Sequence, residues 1–457
     1  MNESTVPATR KTIGERLLSP IAEVRREEVA SALLLTLIMF LILAAYYMLK
    51  TAREVFILGE GGAEVKSYSS AGQALLLLVL VPAYGAFASR VTRIQLVQWV
   101  TLFFALHLAL FLMAIAAGWQ VGVPYFLWIG IFNLMVIAQF WAFAADLYTP
   151  EQGKRIFPLI GVGSSLGAWI GSVRAGQIVA TLGTGRLLVA GAIILVICAF
   201  LARWAYRVRP RVAVTAAAAV EEEKPLGKQD GFAMIFGDRY LMLIAALAVI
   251  LNVVNTSGEY LFGRYVVEMA NATHGSGPEG AAAREAFIGG TYSQFFSTVN
   301  LVGFVLQMFV VSRAIKFLGV GTALFIHPAV ALSGYLLMLR APSMTTITYV
   351  KVADNSLDYS LGNTTKQALW LNTSREAKYK AKQAVDSFFV RAGDVIQAGI
   401  VFGGERLALA VPSFALLNIA LTGLWLGVVA LLNVSLKQKA AVELAPAVAP
   451  VKPRIVT

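Results

Sequence analysis

Runs of about twenty apolar residues recur along the chain, and this recurrence restricts it to one class of solution. A helix needs about 20 residues to cross the hydrocarbon of a bilayer. Inside lipid every backbone polar group must find its partner within the segment, so such runs fold as helices. They fall near 29–50, 70–89, 94–118, 123–147, 156–181, 185–207, 239–262, 287–313, 319–339, 343–364, 382–404 and 411–435, with the tenth the least apolar. Composition agrees. Of 457 residues, 58% are hydrophobic and only 14% charged, against about a quarter charged in soluble proteins. The expected fold is all-α: a polytopic membrane protein with twelve transmembrane helices in two six-helix bundles. The first run is too long for a removable leader and lacks a small-residue cleavage site, so it is expected to stay as a helix.

Charge placement gives the orientation. With the N-terminus inside, 27 of the 38 Lys and Arg fall on the cytoplasmic side. Eight fall outside (Lys50, Arg53, Lys66, Arg186, Arg264, Arg284, Arg340, Arg406), and Arg174, Lys351 and Arg391 lie within spans. That bias predicts both termini cytoplasmic and a multi-pass protein of the cell's inner membrane. It also accounts for the net charge of +12 without a nucleic-acid partner. The expected divisions are a cytoplasmic segment at 1–28, a first bundle at 29–207, a charged linker at 208–238, a second bundle at 239–435 and a disordered tail at 436–457. Within the linker region, 231–241 is expected to lie along the inner surface. Two loops echo each other: YTPEQGKR at 148–155 and NTSREAKYK at 372–380 each place a hydroxyl two residues before a Glu. Two six-helix halves are the plan of major-facilitator transporters, whose substrate site lies between the halves near the midplane.

The polar residues inside the spans point to that site, because a charge at membrane depth is costly unless paired or hydrated. Lys351, Asp354, Asn355 and Asp358 fall at i, i+3, i+4 and i+7 and share one helical face. Arg391 and Asp394 are spaced i, i+3. These residues read either as one wall of a polar pathway or as ion pairs that lock helices. Asn252, Asn255 and Glu259 share a face of span seven, where Glu259 either contacts substrate or neutralises Arg264 or Arg174. Tyr292, Gln294, Ser297 and Asn300 give span eight a polar face suited to a hydrated cavity. Lys50, Arg53 and Glu54 follow one face at the end of span one. The two cations suit an anion, and the alternative is a Lys50–Glu54 pair. Arg174 faces either the cavity or the outer interface. Gly163, Gly167 and Gly171 recur every fourth position, a close-packing pattern rather than a phosphate loop.

Other chemistries are not supported. One cysteine (Cys198) and three scattered histidines (His107, His274, His327) make no metal site. The histidines within spans, His107 and His327, read as hydrogen-bonded packing residues. No nucleophile–base–acid set appears, so the chain is not expected to be an enzyme. No cofactor is implied, and a monomer is expected.

DYSLGNTTKQALWLNTSREAKYKAKQAVD at 358–386 resembles the ATP/ADP translocases of bacteria, intracellular parasites and plastids. Asp358, Tyr359, Ser360, Leu361, Asn363, Lys366, Lys380, Lys382 and Asp386 carry the likeness. FWAFAADLYTPEQGKRIFPLIGVG at 140–163 is similar to a second family segment, and Lys50 matches a lysine associated with nucleotide recognition. The chain departs from that pattern at 125–139, which holds no acid, and in span seven, where the acid sits at Glu259. The resemblance implies a nucleotide exchanger working by alternating access. Lys50, Arg53, Arg174, Lys351 and Arg391 would face phosphates, and Asn255, Tyr292 and Asn300 the base or sugar. Glu259, Asp354, Asp358 and Asp394 would pair with the cations when the site is empty. Proton-coupled transport of another organic anion, a lipid or drug exporter and a non-transporting scaffold or sensor are the alternatives.

Overall fold

The computed structural model describes residues 24–25, 27–88, 92–208, 230–371, 373–374 and 376–444. Among these there is no strand. Helix α1 (Val29–Ala88) is broken at Gly62, whose φ is 73°. Glycine alone takes that conformation cheaply, and the chain doubles back there. Lys66 therefore reaches 2.8 Å from Glu54, although twelve residues of straight helix would hold them about 18 Å apart. The order continues with α2 (Arg93–Ala116), α3 (Gly122–Asp146), α4 (Pro150–Leu182) and α5 (Gly185–Arg207). A short α6 (Gly231–Gly237) then precedes α7 (Arg239–His274). Next come α8 (Ala281–Leu306), α9 (Ser312–Ala323), α10 (Ile326–Arg340), α11 (Met344–Leu357), α12 (Asn363–Ala368), α13 (Lys382–Ala384), α14 (Val390–Arg406) and α15 (Val411–Leu444).

Eight stretches are long and apolar enough to cross a membrane. Two of them bend at a positive-φ glycine, Gly62 and Gly319, and each bend opens a further pass. Twelve helical passes result among the described residues. The passes missing from the apolar set are short or carry polar residues and wide π-turns, at Asp358–Gly362, Ala377–Ala381 and Val385–Phe389. Such turns inside helices concentrate at functional positions.

Several expected limits move. Span one does not stop at residue 50: its helix runs to the break at Gly62, so Lys50, Arg53 and Lys66 lie on helices rather than in outer loops. A helix reaching Leu444 replaces a tail starting at 436. Most of the expected N-terminal segment and linker lies outside the described residues. The paired loops become equivalent helix starts. Thr149 accepts from Gln152 N at 3.3 Å, and Ser374 Oγ accepts from Ala377 N at 3.2 Å. In each loop the hydroxyl two residues before the Glu is the N-cap. Gly163, Gly167 and Gly171 meet the α1 backbone at Thr36, Phe40 and Ala44. No side chain fits there, which is why the four-residue period is glycine.

Polar contacts join the first six passes to the last six. Ser293 Oγ donates to Ser172 O at 2.6 Å and accepts from Gly176 N at 3.0 Å. Thr184 Oγ1 donates to Glu285 at 3.1 Å, and Gln397 Nε2 donates to Ser67 Oγ at 3.3 Å. All four belong to the helix halves nearest the turns at 62, 183–184, 275–280 and 407–410. The two halves are thus tied together on that face.

Candidate functional site

A cavity of about 290 Å³ opens between the two halves. The first half supplies Tyr46, Lys50, Arg53, Lys66, Ser67, Ser70, Gln73 and Phe126 to its wall, and the second half supplies Asn255, Thr256, Glu259, Tyr260, Asn355, Tyr359, Arg391 and Gln397. The doubling back of α1 makes the first wall, since it sets Lys66 beside Arg53 and Glu54. Glu54 is fully buried and pairs with Arg53 and with Lys66. Lys66 then reaches Glu259 of α7 at 3.6 Å, which links the halves. Glu259 accepts from Asn355 at 3.0 Å and lies 3.8 Å from Lys351 Nζ.

Lys351 is fully buried just behind that wall. It donates to Asp354 Oδ2 at 3.0 Å and to Asn255 Oδ1 at 3.1 Å. His327 Nε2 lies 3.0 Å from Asp354 Oδ1. A buried carboxylate can keep its charge only with such partners. The i, i+3, i+4 face predicted for α11 is therefore the buried face, while Tyr349 on the opposite side is 72% exposed.

Lys50 differs from the other cations. Among the described residues no carboxylate lies within ion-pair distance of it. Its Nζ instead sits 4.3 Å from the centre of the Phe296 ring and 5.4 Å from that of Tyr47. Aromatic faces attract a cation but leave its charge uncancelled. Arg53 also lies over a ring, Phe126, at 4.7 Å. Arg391 donates to Asp394 at 3.1 Å, and Asp394 accepts from Asn252 at 2.8 Å.

A second cavity, about 260 Å³, lies within the second half between α7, the α11–α12 region and α13. Asp358, Asn363, Lys366, Trp370 and Asp386 line it, together with Asn252 and Asn255. Asp358 pairs there with Lys366 at 3.0 Å. The π-turn that begins at Asp358 carries the chain from the Lys351 face into this pocket. Four of the residues that carry the likeness of the 358–386 segment, Asp358, Asn363, Lys366 and Asp386, are thus gathered in one place.

Several sequence expectations are corrected. Arg174 lies on the exposed side of α4 and donates to Gln177 at 2.9 Å. Ser172 and Gly176 hold α8, and two residues is about 200° of helix, so Arg174 points the other way. Glu259 neutralises neither Arg264 nor Arg174. Arg264 takes Glu405 at 2.9 Å and Glu268 at 3.1 Å. Lys50 and Glu54 do not pair. Tyr292 is buried among Phe262, Phe295 and Phe296, and Asn300 donates to Ser172 at 3.3 Å. Gln294 is exposed and Ser297 bonds back to its own helix. The polar face expected on α8 is therefore spent on packing. Sequence reasoning did not select Lys66, Tyr46, Phe126 or Tyr359. Hydropathy alone places Lys66 in a loop between short spans, and the GEGG stretch is the signal that marks the fold-back.

No protein-family profile matches the chain. It is 23% identical over 335 residues to ADP,ATP carrier protein 1 of Chlamydia muridarum, a match that takes in 64% of this chain and 61% of that protein. Over that stretch the chain is similar to an ADP,ATP carrier. It spans about three fifths of the curated relative it matches. Solved structures of similar fold include the nucleoside transporter NupG, 12% identical with a TM-score of 0.58 over 90% of this chain and 99% of that one. A bacterial homologue of the iron transporter ferroportin, in an inward-facing state, is 14% identical with a TM-score of 0.58 over 90% and 99%. The POT family transporter PepTSo is 11% identical with a TM-score of 0.57 over 89% and 98%. The fold is therefore the all-α polytopic architecture of major-facilitator type.

Proposed function

We propose that this protein is a secondary transporter that exchanges nucleotides across a cell's inner membrane by alternating access. The supporting observation is the central cavity, where Lys50, Arg53, Lys66 and Arg391 line a space shared by both halves. Three of these cations have acid partners, while Lys50 rests on rings. An anion entering the cavity meets Lys50 first as an uncancelled charge. It then competes with Glu54, Glu259 and Asp394 for the rest. Tyr46, Phe126 and Tyr359 offer ring faces for a base. Lys66–Glu259 and Gln397–Ser67 cross between the halves beside this cavity. Substrate that draws Lys66 from Glu259 loosens one closure and favours the other, which is how binding biases a two-state bundle. In this reading both termini are cytoplasmic, the protein acts as a monomer, and it catalyses no covalent chemistry. The likeness to the Chlamydia carrier favours ATP and ADP as the exchanged pair.

The test is uptake of labelled ATP into liposomes holding the purified protein, with and without ADP inside. Uptake that requires internal ADP is the expected result. No uptake by folded protein would remove ATP/ADP exchange and turn the search to other phosphorylated anions.

A further inference from the structure

Between the two cavities lies a side chain that the exchange reading leaves unused. His327 on α10 is only 5% exposed. Its Nε2 faces Asp354 Oδ1 at 3.0 Å, while Asp354 Oδ2 accepts from Lys351 at 3.0 Å. A carboxylate held by an ammonium acts as an acceptor, so Nε2 carries the ring hydrogen and Nδ1 keeps a free lone pair. Nδ1 is buried and, among the described residues, meets no hydrogen-bond partner. The position that a methyl group on Gly362 would take lies 3.0 Å from Nδ1 and 3.4 Å from Asp358 Oδ1. Glycine leaves that position open beside the acceptor nitrogen and the carboxylate, with Leu357 O also 3.2 Å from it. Asp358 in turn lines the second cavity. A file therefore runs from that cavity through Asp358, the gap, His327 and Asp354 to Lys351, buried just behind the wall of the central cavity.

A packing histidine would need only the Asp354 bond and the edge-to-face contact with Trp425, whose ring centre is 4.8 Å away. It would not call for a buried, orphaned acceptor aimed at a gap that ends on a second carboxylate. We propose that His327 is a proton-binding site that couples proton uptake from the second cavity to anion binding in the central one. This rests on the reading of the central cavity as the anion site. A proton arriving through Asp358 forms an N–H bond at Nδ1. The ring becomes an imidazolium whose Nε2–H stays on Asp354. Asp354, now shared between two cations, no longer cancels Lys351. One proton has been stored and one positive charge has been released toward Glu259 and the substrate. Discharge runs the same transfers in reverse. The groups facing the imidazole are Asp354 and Lys351 of α11 and Asp358 of the π-turn, with Lys366 as its counter-ion. From α15 it meets the uncharged Trp425.

The first arm of the test needs no substrate. An imidazolium beside an indole quenches its emission, so Trp425 reports on the His327 charge. Tryptophan fluorescence of the purified protein is titrated with acid, and the signal of W425F is subtracted. The expected result is a quenching step in the wild type that is absent from H327Q. The same step in H327Q would overturn the proposal. The second arm is labelled-ATP uptake into ADP-loaded liposomes under an acid-outside gradient. One proton per substrate supports up to about tenfold greater accumulation per pH unit. H327Q should lose this stimulation and keep ADP-driven exchange. Gly362→Ala fills the gap, displacing the ring by no more than a few tenths of an ångström, and it should also lose the stimulation. Full stimulation in Gly362→Ala would overturn the link to Asp358, and full stimulation in H327Q would overturn the coupling. If ATP is not moved at all, exchange fails while the fluorescence arm still decides the proton site.

Discussion

The two walls of the central cavity are built on different principles. In the first wall, Lys50 has aromatic neighbours and, among the described residues, no acid, while Arg53 and Lys66 share the buried Glu54. In the second, each charge is matched: Lys351 by Asp354, Arg391 by Asp394, and Glu259 by Asn355 and Lys351. A cation on a ring is available to a ligand at little cost. A cation in a buried pair is released only if its partner is neutralised or moved. The first wall is therefore suited to meeting an anion, and the second to changing state once it has been met.

Substitutions can break this contrast, and the largest effect is expected at Lys351. Lys351→Ala strands Asp354 and exposes Glu259 to an uncancelled neighbour. Loss of one partner of a buried pair costs about 3–5 kcal/mol. Thermal unfolding in detergent should show a marked drop in Tm along with loss of transport. An unchanged Tm would make the second wall as free as the first. Lys50→Gln should do the opposite. Without an ion pair to lose, the fold should hold its Tm. Binding of anionic substrate, measured by titration calorimetry, should fall about tenfold to a hundredfold, the worth of a charge-assisted hydrogen bond of about 1.5–3 kcal/mol. Unchanged affinity would remove Lys50 from the site.

Glu54→Gln sits between these cases. It frees Arg53 and Lys66 and should weaken the tie through Lys66 to Glu259. Cysteine probes placed near residues 59 and 277 should then label faster from the closed face, and unchanged labelling would show that the other crossing contacts suffice. Arg174→Ala gives the smallest effect. The side chain is exposed and, among the described residues, bonded only to Gln177, so stability should change by less than about 0.5 kcal/mol and transport should persist. Loss of transport in this variant would place a functional group outside both walls.

The contrast also shows what could be read early. The buried face of α11 was legible because a 3.6-residue period fixes which of Lys351, Asp354 and Asn355 point together, whatever they touch. The Arg391–Asp394 pair was legible for the same reason. Tyr292 and Asn300 were misread because polarity alone does not separate a hydrated face from a helix contact, and on α8 the polar atoms are used to hold Ser172. Arg174 was misread because one span has several faces and hydropathy does not say which one meets the partner bundle. The chemistry of Lys66 was hidden by the assumption that a charged stretch between apolar runs is a loop.

The sequence by itself determined that this chain crosses a membrane as helices and which residues share a face. Those properties follow from backbone hydrogen bonding in lipid and from the helical period, both local. Only the tertiary structure decided which faces meet. The break at Gly62 brings Lys66 back to Glu54, the π-turn at Asp358 divides one motif between two cavities, and Gly362 leaves open the gap beside His327. Each depends on atoms far apart in the chain coming within a few ångströms, and a local period carries no information about that.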